Sequence, residues 1–475
     1  MRHLSIDLET YSSVDLKKSG AFKYIESPDF QILLFAYSLD GEPVQLVDLA
    51  TGEQLPPWLT TAISDPAYIK HAYNASFEWG CLSKYLGALP AEQWRCTMFH
   101  GLYCGYTAGL DATGKALGLE SDKQKLNSGK ALIRYFCVPC KPTKTNGGRV
   151  RNFPHHDPDR WRLFKDYCKQ DVVTEMEIER RLAAFPVPDS IQREWETDLR
   201  INARGVAVDM NLVKSALSIG AKVRTDLTAE AMRISGLGNP NSVKQLRNWL
   251  GGEMDEEVAS LNKETVSHLL NRDGNSDIVQ RMLEIRQELG KTSTKKYDAI
   301  EAAVCADGRV RGLLQFYGAN RTGRWAGRLV QVQNLPRTYT EPLSLARELV
   351  ITEQPDALRY IYGSIPDTLS QLIRTTFTAS PGHVLVDADF SAIEARVISW
   401  LAGEQWRLDV FRTHGKIYEA SASQMFGVPL ELIKKGNPEY ALRQKGKVAE
   451  LALGYQGSTG ALIKMGAFDM GGVAI

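Results

Sequence analysis

The chain has 475 residues and almost balanced charges, with 57 Lys and Arg against 56 Asp and Glu. This length predicts two to four domains, and the ordinary hydrophobic and charged contents of 43% and 24% exclude a disordered or fibrous protein. The net charge of +1 does not exclude a nucleic-acid enzyme, because a local basic surface is enough to bind phosphate.

The amino-terminal segment MRHLSIDLETYSS has neither the apolar core of a signal peptide nor an amphipathic presequence. No apolar run approaches the roughly 20 residues that a membrane span needs. The seven cysteines have no regular spacing and do not resemble a secreted disulfide framework. These features predict a cytoplasmic protein with reduced thiols and no membrane partner.

Four regions follow one another along the chain. Strand-like and helix-like patterns alternate in residues 1–185, which predicts an α/β layer domain. Residues 186–303 are charged, with apolar residues at helical spacing, and predict a helical domain. Gly and Pro interrupt residues 304–400 before a strand-to-helix unit in HVLVDADFSAIEARV, and residues 401–475 are again predicted to be helical.

The first strand carries two acids. In SIDLETYS, Ile6 and Leu8 alternate with Asp7 and Glu9, so a strand here buries one face and directs both carboxylates to the other. Neighbouring carboxylates repel each other unless a cation neutralises them, and hard oxygen ligands suit Mg²⁺ or Mn²⁺. The alternative is a pair of solvated surface acids.

Two later segments carry further candidates. In DYCKQDVVTEME, Tyr167 and Asp171 are four residues apart and lie on one helical face, although a packed Tyr beside a solvated Asp fits the same pattern. In NASFEWGCL, Asn74 is a predicted helix cap, with Glu78 near the helix start. As a lone feature, Glu78 is explained by a favourable charge at a helix N-terminus.

A CxxC pair, Cys137 and Cys140, precedes His155 and His156 and raises the question of zinc. The histidines are adjacent, without the three to five intervening residues usual in a finger. We therefore expect a loop that contacts phosphate, or one that is simply solvated, with the basic side chains Lys141, Lys144, Arg149 and Arg151.

Taken in order, the first set of motifs resembles the DEDD-type 3′→5′ exonucleases of family A DNA polymerases. The matching motifs are Asp-x-Glu on the first strand, Asn-x-x-Phe followed by an acid, and Tyr-x-x-x-Asp. The resemblance implies a ribonuclease-H-like domain with two Mg²⁺ (or Mn²⁺) ions. Asp7, Glu9 and Asp171 would bind the tighter ion. Glu78, where the family usually has Asp, would support the second ion with Asp7, and Tyr167 would orient the attacking water.

Residues 389–396, DFSAIEAR, resemble motif A of the same family, although Ser391 and Glu394 also form the sequence pattern of a helix capping box. The resemblance implies that Asp389 binds the catalytic metals and that Glu394 excludes a ribose 2′-hydroxyl. The preceding segment ANRTGRWAGRLVQVQNLPR resembles the family's primer–template grip. The DNA-binding residues implied there are Thr322, Arg324, Gln333 and Asn334, and Asn74 is the one implied in the exonuclease.

A stripe of side chains at four-residue steps in RQKGKVAELALGYQG predicts one face of a helix, and such a stripe is often simply solvated. It resembles motif B on the fingers. Arg443 and Lys447 would hold the triphosphate of a dNTP, and Tyr455 would stack near the templating base. Leu451 stands where the family commonly has an aromatic residue.

The resemblance implies a helical thumb and a partial right-hand palm and fingers. Motif C, whose Asp completes the polymerase metal site, is not found before Ile475. We therefore expect exonuclease activity and doubtful polymerisation from this chain, which would act in replication on primer–template DNA and single-stranded 3′ ends. Rival hypotheses are a stand-alone exonuclease, a non-catalytic DNA-binding remnant, or half of a split polymerase completed by a second chain. The layout resembles phage polymerases, so the cytoplasm is that of a bacterium or a phage-infected host.

Overall fold

The computed structural model describes residues 1–124, 129–319 and 322–466. The chain divides into two compact units, the first spanning Met1–Val384 and the second beginning at Leu385. The four domain spans predicted from the sequence are a finer division, and they stay predictions.

Strands in the described residues form three sheets, all of them in the first unit. The strands are β1 Arg2–Tyr11, β2 Gln31–Leu39, β3 Gln45–Asp48, β4 Tyr68–Ala72, β5 Trp94–Cys96, β6 Val206–Val208, β7 Arg309–Val310, β8 Leu314–Ala319, β9 Arg324–Gly327 and β10 Phe377–Thr378.

Helices supply most of the remaining regular structure. They are α1 Leu16–Glu26, α2 Pro57–Ser64, α3 Ala75–Leu86, α4 Thr97–Tyr103, α5 Leu110–Ala116, α6 Gly129–Phe136, α7 Pro158–Leu182, α8 Asp189–Arg204, α9 Met210–Ser235, α10 Val243–Met254, α11 Lys263–Leu270, α12 Asp277–Leu289, α13 Lys295–Ala303, α14 Leu343–Ile351, α15 Pro355–Tyr362, α16 Ile365–Leu372, α17 Ile393–Ala402, α18 Gln405–Thr413, α19 Ile417–Phe426, α20 Leu442–Gly454 and α21 Thr459–Lys464.

The largest sheet has the order β3-β2-β1-β4-β5. Strand β1 lies at its centre, antiparallel to β2 and parallel to β4. Side chains alternate between two hydrophobic clusters along β2, with Phe35 and Tyr37 in one and Leu34 and Ala36 in the other. Helices cover both faces, so the predicted α/β class is confirmed.

The helical region has a core of its own. Helix α9 buries Leu212, Ala216, Ile219, Val223 and Leu227, the three- and four-residue spacing of one helical face. The same cluster continues through α12 and α13 into α16, so the predicted helical domain and the segment that follows it share one hydrophobic core.

The strand predicted in HVLVDADF is wrong. Residues 383–390 have no assigned strand, and Val384, Leu385, Val386 and Phe390 are exposed. A strand requires a hydrogen-bonded neighbour, and no described strand pairs with this segment. The capping box predicted at Ser391 is also not formed, because α17 begins at Ile393 with Ala392 at its N-cap.

The helical core makes a stability prediction for α12. Leu283 is fully buried there, whereas Ile278 on the same helix is 45% exposed. Leu283→Ala should lower the free energy of unfolding by about 2–5 kcal/mol, since it removes buried methyl groups and leaves a cavity. Ile278→Ala should change it by less than about 0.5 kcal/mol. Urea unfolding, monitored by circular dichroism, measures the free energy of unfolding of both variants. Equal losses in Leu283→Ala and Ile278→Ala would contradict the assignment of Leu283 to the core.

Candidate functional site

Strand β1 and helix α7 position the first group of acids. Ile6 and Leu8 pack into the cluster on one sheet face, so Asp7 and Glu9 point to the opposite face. That face is not open to solvent, because α7 lies across it and buries Asp171 together with Glu9. The predicted alternation is confirmed, and the predicted carboxylates lie in a mostly dry interface.

Asp7, Glu9 and Asp171 converge. One carboxylate oxygen from each lies within 4.8 Å of the others. Glu9 is 8% exposed and Asp171 is 6% exposed, so water screens their mutual repulsion poorly. Such a set of hard oxygen donors fits Mg²⁺ or Mn²⁺.

Glu78 faces the same group from α3. It is 5% exposed, and burial, followed by the negative charge of Asp7, raises its pKa well above the usual value. Its Oε2 has no hydrogen-bond partner among the described residues. A buried carboxylate oxygen beside other acids is costly unless a cation or a proton balances it. Asn74 is the N-cap residue of α3 as predicted, but its Oδ1 accepts from Ser76 Oγ at 3.2 Å and caps no helix N–H.

Tyr167 lies one turn before Asp171 on α7 and is 2% exposed. Burial, followed by the charges of Asp171, Glu9 and Asp7, raises the pKa of its phenol, so the hydroxyl keeps its proton at neutral pH. The ring lies against Gly129 of α6, where an added Cβ would be 2.0 Å from Tyr167 Cε2. A side chain at position 129 would therefore collide with the ring.

Two thiols next to the acids were missed by sequence reasoning. Cys168 Sγ lies 3.5 Å from Asp7 Oδ2, and Cys137 Sγ lies 3.8 Å from Glu9 Oε2. Burial raises the pKa of both thiols, so they act as weak neutral donors to these carboxylates. The position of Cys168 directly after Tyr167 was a signal for one thiol, and the CxxC pattern identified the other, Cys137, only as a candidate zinc ligand.

Side-chain contacts hold the segment around the CxxC pair together and attach it to β1. Cys140 Sγ contacts the Arg149 carbonyl at 3.3 Å, and Arg149 Nε donates to Asn152 at 2.8 Å. The guanidinium of Arg151 stacks 3.7 Å above the ring of Tyr11. The predicted phosphate contacts of Lys141, Lys144, Arg149 and Arg151 stay predictions, and the two lysines are exposed.

The predicted primer–template residues lie on and after the β8–β9 hairpin. Arg324 begins β9, Thr322 precedes it, and Gln333 and Asn334 lie in the short helical turn Val332–Asn334. All four are exposed. The hairpin packs on the α/β domain through Phe316, whose ring centroid is 5.0 Å from that of Phe99.

A cavity of about 710 Å³ opens between this hairpin and the α/β domain. Its lining includes Asn74, Phe99, Phe316 and Arg328. Asn74 therefore lines the same cavity as Arg328, which belongs to the predicted primer–template segment.

The second unit brings together part of the predicted nucleotide site. Glu394 of α17, Leu451 of α20 and Tyr455 after α20 line one pocket of about 420 Å³. Arg443 and Lys447 belong to the same helix α20, outside the pocket lining. Asp389 lies in the irregular exposed segment before α17 and is not among the lining residues.

Packing between α19 and α20 orients this face. Arg443 Nε donates to Glu419 Oε1 at 2.8 Å, and its guanidinium lies 5.4 Å from the ring centroid of Tyr418. At Gly446, an added Cβ would be 2.1 Å from the Tyr418 carbonyl oxygen. The missing side chain lets the two helices approach closely, which fixes the rotation of α20.

Of the helices in the described part of the chain, none combines the length and the apolar character needed to cross a membrane.

The chain is similar to known proteins over most of its length. The family model "DNA polymerase family A" matches residues 212–465. The DNA polymerase of Bacillus phage SP02 is 55% identical over 473 residues, which cover 99% of this chain and 72% of the phage protein. DNA polymerase I of Rhizobium leguminosarum is 24% identical over 391 residues, and the match covers 79% of this chain and 34% of that polymerase.

Among solved structures, the POL domain of Pol1 from M. smegmatis, in complex with DNA primer-template and dNTP, is similar with a TM-score of 0.56. The match covers 98% of this chain and 69% of that chain at 18% identity, and it confirms the predicted fold class. The family model spans more than half of the chain, and the phage relative matches it almost throughout. The chain therefore belongs to the family A DNA polymerases.

Proposed function

We propose that this family A DNA polymerase chain carries a 3′→5′ exonuclease site in its α/β domain, in addition to a nucleotide site in its second unit. The exonuclease would remove nucleotides from single-stranded 3′ ends. The convergence of Asp7, Glu9 and Asp171 within 4.8 Å, with Glu78 beside Asp7, is the observation that carries the proposal.

The acids suit two divalent cations. Asp7, Glu9 and Asp171 would hold one, and Glu78 together with Asp7 would support the other. When bound, Mg²⁺ or Mn²⁺ supplies Lewis-acid stabilisation of the charge that develops on the phosphate and on the leaving 3′ oxygen. The oxygen of Glu78 that lacks a hydrogen-bond partner in the described protein is consistent with this use.

Tyr167 contributes through its proton. Its raised pKa keeps the phenol neutral, so the hydroxyl can donate a hydrogen bond and orient a water or a phosphate oxygen. The ring is held between Gly129 and Phe164, whose ring centroid is 6.1 Å away, so the hydroxyl has a defined position.

We infer the substrates of the polymerase site from membership of family A. In the second unit Arg443 and Lys447 would hold the triphosphate of a dNTP, and Leu451 would lie on the same helix near the nucleotide. Glu394 would exclude a ribose 2′-hydroxyl, and Tyr455 would stack near the templating base. Asp389 would bind metal. Primer–template DNA would contact Asn74, Thr322, Arg324, Gln333 and Asn334. The M. smegmatis relative, which binds primer-template and dNTP, supports these partners.

The exonuclease is tested by removing two acids. Asp7→Ala/Glu9→Ala should lower Mg²⁺-dependent shortening of a labelled single strand by more than about 100-fold, because metal ligands are lost. Asp166→Asn is the matched control, since Asp166 is an exposed acid next to Tyr167 on α7. Equal activity of the parent and the double Ala variant would refute the site, and no shortening by the parent would favour a DNA-binding role.

The position of Tyr167 is tested at Gly129. Gly129→Ala should lower the free energy of unfolding by about 1–3 kcal/mol through overpacking against the ring. It should also slow DNA shortening by up to about 100-fold, because the hydroxyl is displaced.

Combining Gly129→Ala with Tyr167→Ala removes the collision. The stability cost of Gly129→Ala should then largely disappear in a double-mutant cycle. Lys130→Ala, at the exposed next position, is the control. An undiminished cost in the Tyr167→Ala background would show that the ring is not the obstacle.

The nucleotide site is tested by binding. Lys447→Ala should weaken dNTP binding by about 10–100-fold, the range expected when a charged hydrogen bond to phosphate is lost. Lys445→Ala removes an equal charge two residues away, where the ammonium lies 5.5 Å from the ring centroid of Phe426. Fluorescence titration with a labelled dNTP measures both, and equal losses in the two variants would argue for a non-specific charge effect.

A further inference from the structure

A second group of side chains that could hold a metal ion lies further along the seam between β1 and α7. His71 of β4, Glu175 and Glu179 each place one ligand atom within 4.8 Å of the others. His71 is 4% exposed and Glu175 is 2% exposed. The side chain of Glu179 is 34% exposed, so the group is open to solvent on one side.

Hydrogen bonds within the group and from outside it hold its members in place. His71 Nδ1 lies 2.8 Å from Glu179 Oε1, and His71 Nε2 lies 2.9 Å from His3 Nδ1. The Thr97 hydroxyl donates to Glu175 Oε1. Metal-binding histidines and carboxylates are typically oriented by such outer contacts, which fix the histidine tautomer and the direction of the carboxylate.

Glu175 Oε2 supplies an independent observation. It is buried, and it has no hydrogen-bond partner in the described part of the protein. When His71 donates from Nε2 to His3, its Nδ1 lone pair faces Glu179. When it donates from Nδ1 to Glu179, Glu175 Oε2 still lacks a partner. Neither neutral tautomer therefore gives Glu175 Oε2 a hydrogen-bond partner.

We infer that His71, Glu175 and Glu179 form a binding site for one Zn²⁺ ion, separate from the acids around Asp7. One imidazole nitrogen and two carboxylate oxygens are a donor set that Zn²⁺ accepts at about 2.0–2.2 Å, with water as the fourth ligand. The fourth position would lie on the solvent side, next to Glu179.

Such an ion joins α7 to β4. Glu175 and Glu179 lie one and two turns after Asp171 on the same helix, and β4 pairs directly with β1. The ion therefore has a structural role: it fixes the part of α7 that follows Asp171 against the sheet that carries Asp7 and Glu9. The alternative to a bound ion is an ion pair between a protonated His71 and Glu179.

The test uses the full chain with Asp7→Asn/Glu9→Gln, which removes two of the four carboxylates in the group around Asp7 and so weakens that group as a competing metal site. After chelation and dialysis, this host is titrated with Zn²⁺ alone by calorimetry and with Co²⁺ alone by visible absorption. We expect one equivalent of Zn²⁺, a tetrahedral Co²⁺ spectrum and a higher melting temperature with Zn²⁺.

Two further variants in this host locate the ion. Glu179→Gln changes a half-exposed ligand and should weaken Zn²⁺ binding by at least about 10-fold. Glu177→Gln, on the same helix but paired with Arg180 and Arg181, should leave binding unchanged. Both variants retain all seven cysteines, so thiol-bound zinc would persist equally in the two. Absence of binding by the host, which would favour the imidazolium, or equal binding by both variants would overturn the inference.

Discussion

Repulsion among carboxylates buried between β1 and α7 is the constraint on which the candidate exonuclease site depends. The strand directs Asp7 and Glu9 away from the hydrophobic cluster of Ile6, and α7 brings Asp171 over them. Charges this close and this poorly solvated are tolerated only when a cation, a proton or strong donors compensate them. On the side of α3, burial, followed by the negative charge of Asp7, raises the pKa of Glu78.

The same geometry connects the two groups of candidate metal ligands. Residues four apart on α7 lie above one another, so Asp171, Glu175 and Glu179 follow a single seam. Asp7 and Glu9 of β1 lie at the end of this seam where Asp171 is. A displacement of α7 would therefore change both groups of ligands together, which explains why a structural ion beyond Asp171 would matter for the acids before it.

Much of the α/β domain could be predicted from local patterns. The alternation of Ile6 and Leu8 with Asp7 and Glu9 identified the strand and its two faces, and the four-residue step from Tyr167 to Asp171 identified a shared helical face. These features depend on periodicity, which the sequence carries directly. The family resemblance placed Glu78 among them, although its own segment indicated only a helix start.

Features that depend on long-range packing could not be predicted. Cys168 approaches the acids from α7 and Cys137 from the turn that follows α6. His71 meets Glu175 and Glu179 from a strand about one hundred residues away. For residues 383–390 the sequence predicted a strand that the structure does not contain. Their apolar pattern predicts a strand, but a strand forms only when another pairs with it.

Anomalous diffraction from crystals of the chain soaked in Mn²⁺ tests the central claim most directly, because it locates the cation without relying on activity. The account predicts a manganese peak between the carboxylates of Asp7, Glu9 and Asp171. Well-ordered carboxylates with no peak between them at saturating Mn²⁺ would contradict it.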